Sequence, residues 1–163
     1  NNTYITKIFM IKIDQAKRED SADIFFWRNN LYSRMMFRRR QKIKFSQHKI
    51  WYFNSLRSKS SIILICKTLE EHQSKIGVVR FNILKHKYVA EVSINLSPKM
   101  RRKGLGLICL KKSIKFFKEK FIDCKYLTAN VKIINIPSIK IFKNSGFETV
   151  KKQNQFLLLL LKL

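Results

Sequence analysis

Apolar positions recur along this chain with two different periods, and the changes of period divide it into elements. Tyr4 to Ile13, rich in Ile, Phe and Tyr, reads as a first strand that Asp14 and Gln15 end. Ser21 predicts the cap of a short helix through Ile24, Phe25, Phe26 and Trp27, closed by Arg28-Asn29-Asn30. Ser46 predicts the cap of a second, whose apolar and partly polar face carries His48, Trp51, Tyr52, Phe53 and Leu56. From Ser61 the pattern is extended. Ile62 to Cys66 is a continuous apolar run bounded by polar Glu70 to Ser74, and Lys75 to Leu84 is its hairpin partner. After the turn Lys85-His86-Lys87, Tyr88 to Leu96 completes a three-stranded antiparallel meander.

Helical spacing returns with Leu107, Leu110, Ile114, Phe117 and Phe121, while Lys111, Lys112, Lys115 and Lys118 occupy the other faces. Tyr126 to Val131 follows as a strand, and the β-α-β order favours parallel pairing with the strand before the helix. Asn135 and Pro137 open a short helix that Gly146 stops. Phe147 to Lys151 and Phe156 to Leu163 then form a closing hairpin around Lys152 to Gln155. The order is strand, two helices, three strands, helix, strand, helix, two strands, an α+β class with seven strands and about four helices. No repeat, linker or low-complexity boundary interrupts it, so residues 1–163 read as one domain.

Charge changes the picture of the surface. The 35 basic and 10 acidic residues give a formal +25, which favours anionic partners: nucleic acid, an acidic membrane or a phosphorylated small molecule. Much of that excess is Lys interleaved with Ile, Phe and Asn, a pattern that compositional drift also produces. The most basic segment, Arg34, Arg38, Arg39, Arg40, Lys42 and Lys44, prompts a nucleic-acid-binding reading. No recognised nucleic-acid motif accompanies it, so a solvated basic loop is the better reading. Cys66, Cys109 and Cys124 lie in apolar patterns without metal spacing and read as reduced core residues of a cytoplasmic protein. The apolar tail Phe156 to Leu161 is about a third of a membrane span and reads as a buried strand, which favours a soluble protein with no membrane partner.

Candidate chemistry concentrates between strand and amphipathic helix, in Ser97-Pro98-Lys99-Met100-Arg101-Arg102-Lys103-Gly104-Leu105-Gly106. Two glycines one residue apart let backbone N–H groups turn toward an anion, and the helix that begins there adds its dipole. A dinucleotide fingerprint would need glycine where Cys109 stands, and the Gly-Lys-Ser/Thr of a Walker loop is absent. Arg101 to Gly106 instead resembles the Arg/Gln-x-x-Gly-x-Gly/Ala signature of the GCN5-related N-acetyltransferases, their coenzyme pyrophosphate loop. A second stretch, Asn135 to Phe147, resembles that family's Asn-x-x-Ala/Ser-x-x-Leu/Phe-Tyr/Phe-x-x-x-Gly-Phe at the expected distance.

The resemblance implies a central mixed, mostly antiparallel sheet with a parallel strand pair splayed at the coenzyme site, and acetyl-coenzyme A as cosubstrate. It implies coenzyme contacts at Ile94 and Leu96, at Arg101, Arg102, Lys103, Gly104, Leu105, Gly106 and Leu107, and at Asn135, Ser138, Phe142 and Lys143. Asn135 also suits an ordinary helix cap. Trp27-Arg28-Asn29, Met35-Met36-Phe37 and His48 with Trp51 resemble the branch that includes the pseudaminic-acid-pathway amino-sugar acetyltransferase, making Arg28, Met36, Phe37 and His48 candidates for the acceptor pocket. Glu91 and His48 are the candidate bases. Many members place a tyrosine at Phe142 to protonate the departing thiolate; phenylalanine has no proton to give. The expected activity is transfer of acetyl to a small amine, an anionic nucleotide-linked amino sugar, by a monomer or homodimer. A protein N-terminal acetyltransferase is the alternative enzyme and a basic nucleic-acid-binding module the non-enzyme alternative.

Overall fold

The structure, a computed structural model, describes residues 11–69, 73–85 and 87–163. The expected first strand before Ile11, and parts of the turns at Glu70 to Ser74 and Lys85 to Lys87, lie outside them. Seven strands form one sheet: β1 Ile11–Gln15, β2 Ser61–Thr68, β3 Lys75–Ile83, β4 Val89–Leu96, β5 Tyr126–Lys132, β6 Glu148–Gln153 and β7 Phe156–Lys162. Their spatial order is β1-β2-β3-β4-β5-β7-β6. Every neighbouring pair is antiparallel except β4 with β5. Five helices accompany it among the described residues: α1 Ser21–Asn29, α2 Leu31–Met36, α3 Phe45–Arg57, α4 Leu105–Lys120 and α5 Ile136–Asn144.

The fifth helix is α2, which occupies the start of the segment expected as a basic loop. Only six residues long, it lacks room for a visible helical period. Helix starts also shift. Asp20 stands at the N-cap position of α1 without a side-chain cap bond, with Ser21 the first helical residue, and Lys44 rather than Ser46 precedes α3, where the Gln47 side chain accepts from the Lys44 N–H at 3.4 Å.

The unbroken apolar run of β2 is explained by burial on both faces of the sheet. Ile62, Leu64 and Cys66 face a core shared with Val79, Phe81, Leu110 and Phe117, in which the Phe81 and Phe117 rings stack 4.3 Å apart. Ile63 and Ile65 face the opposite way, packing with Val78 against Ile24 and Trp27 of α1 and Tyr52 of α3. The layers are therefore α4, sheet, and α1 with α3. Burying each large side chain in these cores contributes about 1.5–3 kcal/mol. The polar devices that pin the second layer are few. Lys75 Nζ lies 2.7 Å from buried Asp20 and 2.6 Å from Asp23, and the Tyr52 hydroxyl donates to the Lys17 carbonyl at 2.7 Å. The expected buried strand near the C-terminus is half-buried: in β7 only Leu159 is fully enclosed, because its neighbour β6 is an exposed edge.

Candidate active site

The parallel strands stay paired for only three residue pairs, Val89 with Tyr126, Ala90 with Leu127 and Glu91 with Thr128. Beyond Glu91 they diverge, leaving the β5-side edge of Val92 to Leu96 without a sheet partner. The Arg101 to Gly106 loop, a cradle of backbone N–H groups ahead of α4, sits at the open end of this splay. Arg102 and Gly104 take the left-handed conformation, at φ 59° and 73°, and α4 begins directly after with no side chain capping it. A Cβ at Gly104 would meet nothing within 4 Å, whereas one at Gly106 would lie 2.6 Å from Ile141 Cδ1. Gly104 is thus required for its φ and Gly106 for the close passage of α4 beside α5. Uncapped N–H groups at the start of a 16-residue helix are an anion site in search of an anion.

A cavity of ≈1710 Å³ opens from this cradle through the splay to α1 and α3. Of the expected coenzyme contacts, Ile94, Leu96, Arg101, Arg102, Gly104, Leu105, Gly106, Leu107, Asn135, Ser138 and Phe142 line it. Lys103 and Lys143 do not; both point into solvent, and Lys140 takes the place on α5 that Lys143 was expected to fill. Arg101 turns away from the loop it begins. Its guanidinium donates to the Leu96 carbonyl at 3.2 and 3.1 Å, to Asn30 Oδ1 at 3.0 Å and to Ser33 Oγ at 2.7 Å. Asn135 Oδ1 accepts from the Ser138 N–H at 3.3 Å, so its carbonyl is spent on capping α5. Phe142 is buried edge-on against Phe147, ring centroids 5.0 Å apart, and brings no donor.

The acceptor candidates Arg28, Met36, Phe37 and His48 also line the cavity, as does Glu91. His48 is 2% exposed, its Nε2 2.9 Å from the Ser21 carbonyl, inside a cluster of Phe25, Phe45, Trp51 and Tyr52 rings. Burial lowers its pKa against the opposing pull of the Ser21 bond, so the ring is neutral near pH 7 with one nitrogen committed. The basic loop is folded on itself without acids: Arg28 Nη2 donates to the Arg39 carbonyl at 2.8 Å and Arg34 to the Asn29 and Arg40 carbonyls at 3.2 Å each. Among the described residues of the lining, eight cationic side chains face a single carboxylate, Glu91.

A profile of the Acetyltransferase (GNAT) family matches residues 18–147, a span that includes both signatures and the whole splay. The chain belongs to this acetyltransferase family. Solved structures agree on the fold. A domain from Methanocaldococcus jannaschii superposes with a TM-score of 0.81 at 24% identity, over 94% of this chain and 98% of its own. The spermidine N-acetyltransferase of Vibrio cholerae, crystallised with CoA and spermine, gives 0.81 at 13% identity, over 94% and 95%. Comparison with characterised proteins by sequence finds no match.

Within this acetyltransferase, sequence reasoning singled out Glu91 but missed the rest of the cavity's polar floor. Arg80 and Asn82 on β3 stand beside Ser93 and Glu91 on β4 in register, and all four line the cavity. Their signal was present: alternate positions of two central strands, Val78-Arg80-Asn82 and Glu91-Ser93-Asn95, turn polar on one face where a plain core would stay apolar. Asn130 of β5, past the last parallel pair, completes the far wall.

Proposed function

We propose that this protein is an acetyl-coenzyme A-dependent N-acetyltransferase whose acceptor is a small anionic amine, a nucleotide-linked amino sugar. The cavity's charge carries the reading. Eight cations against one acid repel a polyamine such as the spermine held by the Vibrio cholerae protein, and attract phosphate or carboxylate. The same charge disfavours the Lys- and Arg-rich tails that a ribosomal-protein acetyltransferase would receive.

The residues present fit the coenzyme, since the uncapped start of α4 suits a pyrophosphate and the open edge of Val92 to Leu96 suits an extended amide-bearing arm. Acetyl-coenzyme A supplies, when bound, the activated acetyl group. The chain's part is positional and acid–base. Arg102, Gly104, Leu105 and Gly106 present backbone N–H groups and charge to phosphate, while Ile94, Leu96 and Phe142 give apolar walls that exclude water. Met36, Phe37 and His48 bound the acceptor side. Glu91, at the foot of the splay, takes the proton that the amine nitrogen loses as its bond to carbonyl carbon forms. Phe142 stands where many members of the family carry a tyrosine, and a thiol pKa of about 8.5 lets thiolate depart with water or another tyrosine as its proton source.

Incubation with acetyl-coenzyme A and a panel of amines tests this by release of free thiol. Turnover should follow the order nucleotide-linked amino sugar, simple amino sugar, polyamine; turnover only on peptides or polyamines would overturn the acceptor assignment.

A further inference from the structure

Two guanidinium groups on the cavity wall are built alike, and the transfer chemistry above uses neither. Arg28 lies over the Phe37 ring at 4.1 Å and Arg80 over the Trp51 ring at 5.3 Å. In each, one buried nitrogen has no hydrogen-bond partner among the described residues: Nη1 of Arg28 and Nε of Arg80. Buried donors without partners are rare in folded proteins, and a bound ligand is a standard way to complete them. Both residues line the same cavity from different layers, Arg80 from the sheet and Arg28 from the helix that packs over it. Arg28 is fixed in plane by its ring and by its bond to the Arg39 carbonyl. Arg80 stands opposite Ser93 in the β3–β4 register, diagonal to Glu91 on the same face, so the one acid of the cavity lies beside one of its best-buried cations.

We propose that Arg80 from the floor and Arg28 from the roof bind the anionic group of the acceptor, phosphate or carboxylate oxygens, and thereby set the preference for anionic amines. A planar guanidinium backed by an aromatic ring offers oxygens a fixed pair of donors, which an ammonium group does not. Burial lowers the pKa of each, by itself and with Arg34 for Arg28, against the pull of Glu91 for Arg80; an incoming anion relieves that desolvation. With Glu91 alongside, the floor presents one positive and one negative site, which orients a molecule carrying both an anion and an amine.

The identity of the bound molecule rests on the acetyltransfer reading, while the anion site rests on the orphaned donors, so binding and turnover are measured separately. Calorimetry on the full chain would titrate a neutral amino sugar, its 1-phosphate, its uridine diphosphate conjugate and an amino-uronic acid into wild type, Arg80→Met and Arg80→Lys. Wild type should bind the charged sugars and not the neutral one. Arg80→Met should weaken them about 10- to 100-fold, and Arg80→Lys should fall between, with KM for acetyl-coenzyme A within about twofold as the sign of an intact fold. A preference for the phosphorylated sugars identifies phosphate as the anion, and one for the uronic acid identifies carboxylate. Binding without turnover on any amine would remove the acetyltransfer reading and leave the anion site standing. Turnover with equal kcat/KM for charged sugars in wild type and both variants, or equal affinity of wild type for neutral and charged sugars, would overturn the site.

Discussion

The two halves of the cavity are made from different parts of the chain's chemistry. On the proposed coenzyme side the backbone forms the site: left-handed Arg102 and Gly104, the bare start of α4, and the strand edge freed when β4 leaves β5 after Glu91. On the proposed acceptor side, long cationic side chains do the shaping, among them Arg28, tied to the Arg39 carbonyl and laid on the Phe37 ring, and Arg80, laid on the Trp51 ring, with Glu91 the one acid among the described lining residues. A backbone site depends on a few positions where only glycine serves, so it leaves a short, legible signature. A side-chain site can be rebuilt with different residues, so it leaves a diffuse one and is where specificity changes.

The contrast is broken most severely by Gly106→Glu, which drives a side chain into Ile141 and places a carboxylate in the first turn of α4. Coenzyme binding by calorimetry should vanish while the far-ultraviolet circular dichroism stays that of a folded α+β protein. Retained binding would show that the cradle is not where phosphate sits. Lys75→Ala should do the reverse. It leaves Asp20, 2% exposed, without its cation and should cost about 3 kcal/mol, a fall in Tm of about 6–12 °C. In the protein that remains folded, coenzyme affinity should hold within about threefold.

His48 supplies a gentler probe of the acceptor side. Its folded pKa is depressed by burial, so the native state favours the neutral ring; that stability is present above the ordinary value near 6.5 and is lost as pH falls through the lower folded value. Tm should therefore drop between pH 7 and pH 5, and His48→Gln should flatten that slope; an unchanged slope would show that other groups set it. The smallest effect is expected from Phe142→Tyr, since Phe142 lines the cavity but is otherwise enclosed against Phe147. Restoring a phenol should raise kcat by less than about tenfold, because thiolate is already a fair leaving group, and a fall in kcat would mean the hydroxyl cannot reach the cavity.

The strands, the order of most elements and the parallel pair could be read from the residues because their causes are local. Alternation marks β3 and β4, a three-four spacing marks α4, and glycines mark the cradle. The features that escaped are non-local. Nothing in Leu31 to Met36 announces a helix, for α2 is held from outside, by Arg101 on Asn30 and Ser33, by Asn95 on Ser33, and by Lys132 Nζ on the Met35 carbonyl at 2.7 Å. Arg80 lies on a strand whose alternate positions turn polar, and the register with Glu91 and Ser93 brings that face into the cavity. Lys103 and Lys143, cations beside the two signatures, are exposed and stand outside the cavity lining, which their place in the sequence does not show.

Arg101 opens the cradle signature yet serves as a rivet between the loop and the corner of α1 and α2, and this explains the spelling of the motif. The signature it matches accepts arginine or glutamine at this place. A phosphate ligand would not treat those two as synonyms, since one carries charge and the other does not. A site defined by a backbone carbonyl and two polar side chains does treat them so, because both reach it with planar N–H groups. The degeneracy of a motif can thus report which of its letters touch the ligand and which only hold the others in place.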